Sequence, residues 1–181
     1  MESESAIAPG RELDFHPGMD MRWDVTRSTE ETFGELFEST NWLDPRMPGP
    51  PVHVHPNSEE SFEVIEGSLD VFKDGEWRTL QPGETAVVPA GAPHTLRNAS
   101  DEPAKTITRI RPAGDSEAFF RHMHRLIRDG KIKRLPPKEP GSAIYAAMLF
   151  NRYPGEIRAT GPLNGVFKGL AFLGRALRFE L

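Results

Sequence analysis

His53, His55 and His94, together with a carboxylate at Glu59 or Glu60, are the residues of this chain whose types and spacing speak most directly of chemistry. Two histidines separated by one residue share a face only on an extended strand, where side chains alternate with period 2. His53 and His55 then project the same way, roughly 6–7 Å apart along the backbone. Imidazoles so placed can converge on one ion at about 2.0–2.2 Å. A carboxylate from the same hairpin and a third imidazole from a later strand complete the set. The chain has no cysteine, which excludes disulfides, iron–sulfur clusters, zinc ribbons and thiol catalysis. Any metal must be held by nitrogen and oxygen.

Such side chains need short strands to carry them, and the composition is of that kind. A chain of 181 residues fits one well-packed domain with a small appendage. Its 17 Pro and 16 Gly, against 37% hydrophobic residues, point to the many turns of an all-β core. From Arg11 to Arg111 short extended runs alternate with turn residues. The expected strands are Met21–Thr26, Thr32–Phe37, Val52–His55, Ser61–Glu66, Leu69–Lys73, Glu76–Leu80, Thr85–Val88, His94–Asn98 and Lys105–Arg111. Asp74-Gly75 predicts a tight hairpin, because both positions tolerate positive φ. Gln81-Pro82-Gly83-Glu84 fits a type II turn.

The character changes after Pro112-Ala113-Gly114. Asp115-Ser116 caps an expected helix in which Phe119, Phe120, Met123, Leu126 and Ile127 recur at helical spacing up to Gly130. After a proline-rich linker from Leu135 to Gly141, a second helix is expected over Ser142–Asn151 and a third over Leu163–Phe179. The organisation expected is a flexible arm at residues 1–10, a mainly β barrel at 11–113, and a helical extension at 114–181 packed on the barrel or on a dimer partner.

Two motifs in this frame resemble those of the cupin superfamily. His53, His55, Glu60 and Gly67 fit the spacing of that family's first motif, although Gly49 stands closer to His53 than the family's leading glycine does. Gly83, Pro89, Gly91, His94 and Asn98 match every position of the second. The resemblance covers residues 45–112 and implies a double-stranded β-helix, or jelly-roll, of the single-domain kind. It also selects Glu60 over Glu59 as the fourth ligand, and strand phase agrees, since Glu60 shares a face with Phe62 and Val64. The implied site is one divalent transition metal (Fe, Mn, Ni, Co or Zn) on His53, His55, Glu60 and His94. Phe62, Val64, Leu96 and Asn98 are expected to line the cavity, with Glu60 also a candidate base.

Other residues receive plainer readings. His122 and His124 lie some 200° apart on a helix, cannot chelate together, and are assigned to a solvated face. His16 is read as a surface or strand residue. Trp42, Trp77 and Phe72 are assigned to the core, with Trp42 an alternative for the cavity mouth. Arg109 and Arg111 are read as surface residues, the alternative being an inward guanidinium for a substrate carboxylate. Tyr145 and Tyr153 are read as packing.

A net charge of -5 argues against nucleic-acid binding. The acidic N-terminus lacks the basic start and apolar core of a signal peptide, and no run reaches the ~18 apolar residues of a membrane span. A cytoplasmic, homodimeric protein acting on a small molecule is expected. Its leading function is metal-dependent oxygenation of the dioxygenase kind. An isomerase or cyclase using the metal as a Lewis acid, or a binding module without catalysis, are the alternatives.

Overall fold

A computed structural model describes residues 10–181; the expected arm at 1–10 otherwise lies outside the described residues. The strands are β1 (Glu12–Asp14), β2 (Met21–Arg27), β3 (Phe37–Leu43), β4 (His53–Val54), β5 (Glu59–Glu66), β6 (Leu69–Lys73), β7 (Glu76–Leu80), β8 (Thr85–Val88), β9 (His94–Arg97), β10 (Ala104–Arg111) and β11 (Arg158–Ala159). The helices are α1 (Ser116–Arg128), α2 (Pro140–Arg152) and α3 (Pro162–Ala176). Two sheets face each other, one in the order β1-β2-β3-β10-β5-β8 and the other in the order β11-β4-β9-β6-β7. Every pairing is antiparallel. The architecture is mainly β, a double-stranded β-helix with helices following it.

Period-2 alternation builds the interior. Met21, Trp23 and Val25 of β2, Phe62 and Val64 of β5, and Leu69 and Val71 of β6 all point inward and are buried. The β6–β7 hairpin turns at Asp74-Gly75, both with positive φ (56° and 85°), as a two-residue turn of the favoured twist requires. At the next corner Gly83 has φ 87° and Glu84 N–H donates to Gln81 O at 2.9 Å, the expected type II closure.

One expected strand is absent. Thr32–Phe37 forms turns instead, with Phe33 and Gly34 at φ 53° and 84° and Gly34 N–H donating to Thr29 O. Thr32 Oγ1 lies within hydrogen-bond reach of Ser28 O and Leu36 O, so the hydroxyl competes with ladder pairing. The real strand begins at Phe37. Its inward positions include Ser39 and Asn41, buried by bonding to each other and onward to Thr108. Those polar interior residues hid the alternation.

The aromatic assignments also need correction. Trp42 lies on the outer face, its ring beneath the Arg22 guanidinium at 4.0 Å. Trp77 is 44% exposed and sits under Arg97 at 4.0 Å, beside Phe72. Cation–π contacts hold these rings, and neither tryptophan is core. Trp23 is the buried one.

Helix α1 packs its apolar face on the barrel, where Phe120 meets Trp23 at 4.4 Å between ring centroids and stacks near Phe37. Asp115 occupies the N-cap position without a capping side-chain bond. The His122–His124 pair is not on a solvated face: His122 is buried against Tyr153 and His124 lies edge-on to Phe15. Helix α3 packs on α2 through Ala171 and Gly174 and leaves Val166, Phe172 and Leu177 exposed. Among the described residues no helix is long and apolar enough to cross a membrane.

Candidate metal centre

β4 is only two residues long, yet its pairings carry the site. His53 is opposite His94 of β9 on one side and opposite Ala159 of β11 on the other. Glu60 stands near the start of β5, in the facing sheet, opposite Val88 and Ile110. Each of His53, His55, Glu60 and His94 therefore offers a donor atom from a separate point of the two sheets. These atoms lie within 4.8 Å of one another, and all four residues are buried. The cluster is able to hold a metal ion.

The ring orientations test that fit. His53 Nδ1 lies 2.8 Å from Pro51 O, His55 Nδ1 2.5 Å from Glu156 O, and His94 Nδ1 3.0 Å from Ala92 O. A ring nitrogen beside a carbonyl carries the proton, so each ring is left with its Nε2 lone pair for coordination. Glu60 Oε2 lies 2.8 Å from His94 Nε2 and 3.3 Å from His55 Nε2. Three nitrogen lone pairs and a carboxylate that converge in a buried space call for positive charge among them. N and O donors of this kind suit Fe(II), Mn(II), Co(II), Ni(II) or Zn(II).

The electrostatics of the metal-free cluster agree. Burial alone would raise Glu60, but the imidazoles of His55 and His94 outweigh it and hold the carboxyl far below its usual range. Burial would lower His55; the neighbouring Glu60 carboxylate and the Glu156 carbonyl reverse that and raise it. Burial, reinforced by His94 and His55, takes His53 down to about 3. Glu60 and His55 thus favour each other's charged forms, whereas burial keeps His53 neutral.

Next to His53, His55 and Glu60 lies a small cavity of about 70 Å³. Met21 and Trp23 of β2, Leu96 of β9, Pro50 and Pro51 line it from the barrel side. Phe119, Phe120 and Met123 of α1, with Phe150 of α2 and Ile157, roof it, and Met19 and Leu135 also border it. Apart from His53, His55 and Glu60 the lining is wholly apolar, without a single cation. Of the four residues expected to line it, Leu96 does. Phe62 lies behind His94, with centroids 6.3 Å apart, and Val64 is buried deeper in the core.

Asn98 does not face this space. Its Nδ2 donates to Asp44 O and Glu102 O while Oδ1 accepts from the Ser100 amide and hydroxyl, so every polar atom is spent on tying loops together. Arg109 points outward to Glu38 and Glu63 at 2.7 and 2.8 Å, and Arg111 is exposed. His16 sits between Asp14 and Asp44 on the surface.

Sequence reasoning missed Trp23, the aromatic roof and the Glu156 carbonyl. Trp23 was recoverable from its phase with Met21 and Val25. Phe119, Phe120 and Met123 read as ordinary helix core, and a backbone acceptor has no side-chain signal.

Comparison with known proteins points the same way. Residues 43–109 match the Cupin domain family. Over 67 residues, 37% of this chain and 20% of the relative, the sequence is 37% identical to quercetin 2,3-dioxygenase of Bacillus subtilis (strain 168). Over 60 residues, 33% of this chain and 39% of the relative, it is 38% identical to polyketide synthase CurC of Streptomyces cyaneus. The chain thus spans well under half the length of these curated relatives. The structure of KdgF from Halomonas sp. has the same fold, with TM-score 0.50 and 22% identity over 59% of this chain and 91% of that one. The barrel, the converging donors and both motifs agree with this match, and residues 43–109 form a cupin domain.

Proposed function

We propose that this protein is a metal-dependent enzyme of the oxygenase kind, acting on a small, uncharged, largely apolar molecule, with His53, His55, Glu60 and His94 as the metal ligands. The observation that carries this reading is four converging donors, three of which (His53, His55 and Glu60) line a cavity whose remaining walls are apolar. A bound redox-active ion would supply the means to bring an enol, catechol or flavonol-like substrate and O₂ together. The chain's own contribution is threefold. Backbone carbonyls preset the three rings; the aromatic roof excludes water; the lack of any lining cation disfavours phosphates and carboxylates as substrates. Glu60, held so far below its usual range, is a weak base, which favours its role as ligand over proton abstraction. The 37% identity with a quercetin 2,3-dioxygenase across the motif region supports the redox reading.

The test is oxygen uptake by the iron- or manganese-reconstituted protein across a panel of such substrates, abolished in His53→Ala. An absence of O₂ consumption across the panel sinks the oxygenase reading. The match to polyketide synthase CurC favours a second reading, in which a redox-inert ion acts as Lewis acid in an isomerisation or cyclisation. Turnover under anaerobic conditions selects it. Saturable binding without chemical change, followed by calorimetry and mass spectrometry, selects a binding module.

A further inference from the structure

We propose that the concavity between α1 and the C-terminal end of α2 is a binding site for a compact oxyanion, a phosphate or carboxylate group, separate from the metal centre. Ala118, Arg121, His122 and Arg125 line it from α1, Arg152 and Tyr153 from the end of α2, and Leu181 completes the lining. Three guanidiniums thus share one depression of about 410 Å³ on a chain whose net charge is -5.

Arg121 is partly offset. Its Nε donates to Glu117 Oε1 at 2.8 Å and its Nη1 to Gly10 O at 2.7 Å. Arg125 and Arg152 form no ion pair among the described residues, and Arg152 merely lies 6.0 Å from the Tyr153 ring centre. Side chains four apart on a helix are neighbours, so Arg121 and Arg125 present their charge to the same space. Like charges held together in this way favour an anion between them. The planar guanidinium fork matches a carboxylate or phosphate in particular.

The second observation is His122. It is 8% exposed, its Nδ1 lies 3.3 Å from the Tyr153 hydroxyl, and its Nε2 is buried with no partner. In the tautomer whose Nδ1 accepts from that hydroxyl, the ring proton sits on Nε2 and lacks an acceptor. A buried donor left without an acceptor is destabilising, and such exceptions in folded proteins call for an explanation. Nε2 is itself closed to solvent, so an oxyanion held by Arg125 and Arg152 would supply the acceptor after a small turn of the ring. A cation would meet three like charges here. Phe119 separates this site from the metal cavity, since its ring lines that cavity and meets Tyr153 edge-on at 5.8 Å.

The full chain is titrated with inorganic phosphate and, separately, with succinate. Sodium chloride at matched ionic strength is the control, and the readouts are the His122 ring resonances and thermal unfolding. The expected result is saturable binding of one anion per chain, a shift of the His122 Nε2 signal, and a rise in Tm absent with chloride. Tighter binding of phosphate assigns a phosphate source, and tighter binding of succinate a carboxylate one. The R125Q/R152Q variant should weaken binding at least tenfold with an unliganded Tm that is unchanged or higher. R128Q, which removes an α1 charge outside the concavity, should bind as the parent does. No saturable response to either anion, or equal losses in R128Q and R125Q/R152Q, overturns the proposal. A lowered unliganded Tm in the double variant would show that these guanidiniums serve packing and would overturn it as well.

Discussion

Replacing Gly49 by alanine tests how the loop before β4 aims the first metal ligand. Gly49 has φ +76°, and a Cβ added there would lie 1.7 Å from the backbone oxygen of Leu96. Ordinary contact begins near 3.4 Å, so the loop must retreat by about 1.7 Å, and the obstacle is backbone, not a flexible side chain. The left-handed conformation costs about 1–2 kcal/mol, and overpacking adds about 1–3 kcal/mol. A total of about 2–5 kcal/mol corresponds to roughly 4–20 °C in Tm for a chain of this size. The retreat also displaces Pro51, whose carbonyl holds His53 Nδ1 at 2.8 Å, and Pro50, whose carbonyl accepts from Thr95 Oγ1 at 2.6 Å. Loss of such an orienting partner typically costs about 10–100-fold in metal affinity. Gly75→Ala is the matched control, with φ +85° and nothing within 4 Å. It should carry only the conformational cost, about 1–2 kcal/mol, and bind metal normally. Thermal unfolding of metal-free protein, with metal titration of both variants, decides the matter. Equal losses in the two variants, or full metal affinity in Gly49→Ala, would refute the reasoning.

Three further outcomes follow from the same geometry. Asn98→Ala should lower stability by about 2–4 kcal/mol in denaturant unfolding, because it leaves several loop groups unpaired, while metal content stays at the parental level; coupled loss of metal would restore Asn98 to the cavity. His94→Ala, purified without tag or added metal, should fall to background in elemental analysis where the parent retains an ion. Metal-free protein should be most stable near about pH 6–7. The raised His55 contributes fully below the ordinary histidine value of 6.5, and that contribution disappears as pH climbs through its higher folded value. On the acid side the neutral His53 costs stability from 6.5 down toward about 3. The depressed Glu60 loses its contribution as pH falls below 4.5. A divalent ion bound at His55 and Glu60 should remove the alkaline loss; identical pH profiles with and without metal would contradict this.

Much of the site was legible in sequence because its logic is local. His53-x-His55 needs only strand periodicity, and strand phase alone separates buried Glu60 from exposed Glu59. The hairpin at Asp74-Gly75 and the corner at Gly83 were legible for the same reason, since a positive φ has few residue solutions. The start of β3 was not, because Ser39 and Asn41 point inward and are satisfied by a long-range bond to Thr108. β11 escaped notice as a two-residue strand defined entirely by its partner. The Trp assignments failed because size suggests burial, whereas a guanidinium lid stabilises an indole on an outer face just as well.

The contact between His55 Nδ1 and Glu156 O, with β11 alongside β4, has a temporal meaning. Synthesis proceeds from the N-terminus, and folding can begin while it does. All four donor residues have been translated by position 94, but the carbonyl that aims one of them belongs to residue 156. A nascent chain that has reached the end of β10 therefore carries the barrel strands β1–β10 with His55 free to turn. A metal ion meeting the chain before residue 156 is made would find a His55 ring that this carbonyl does not yet orient.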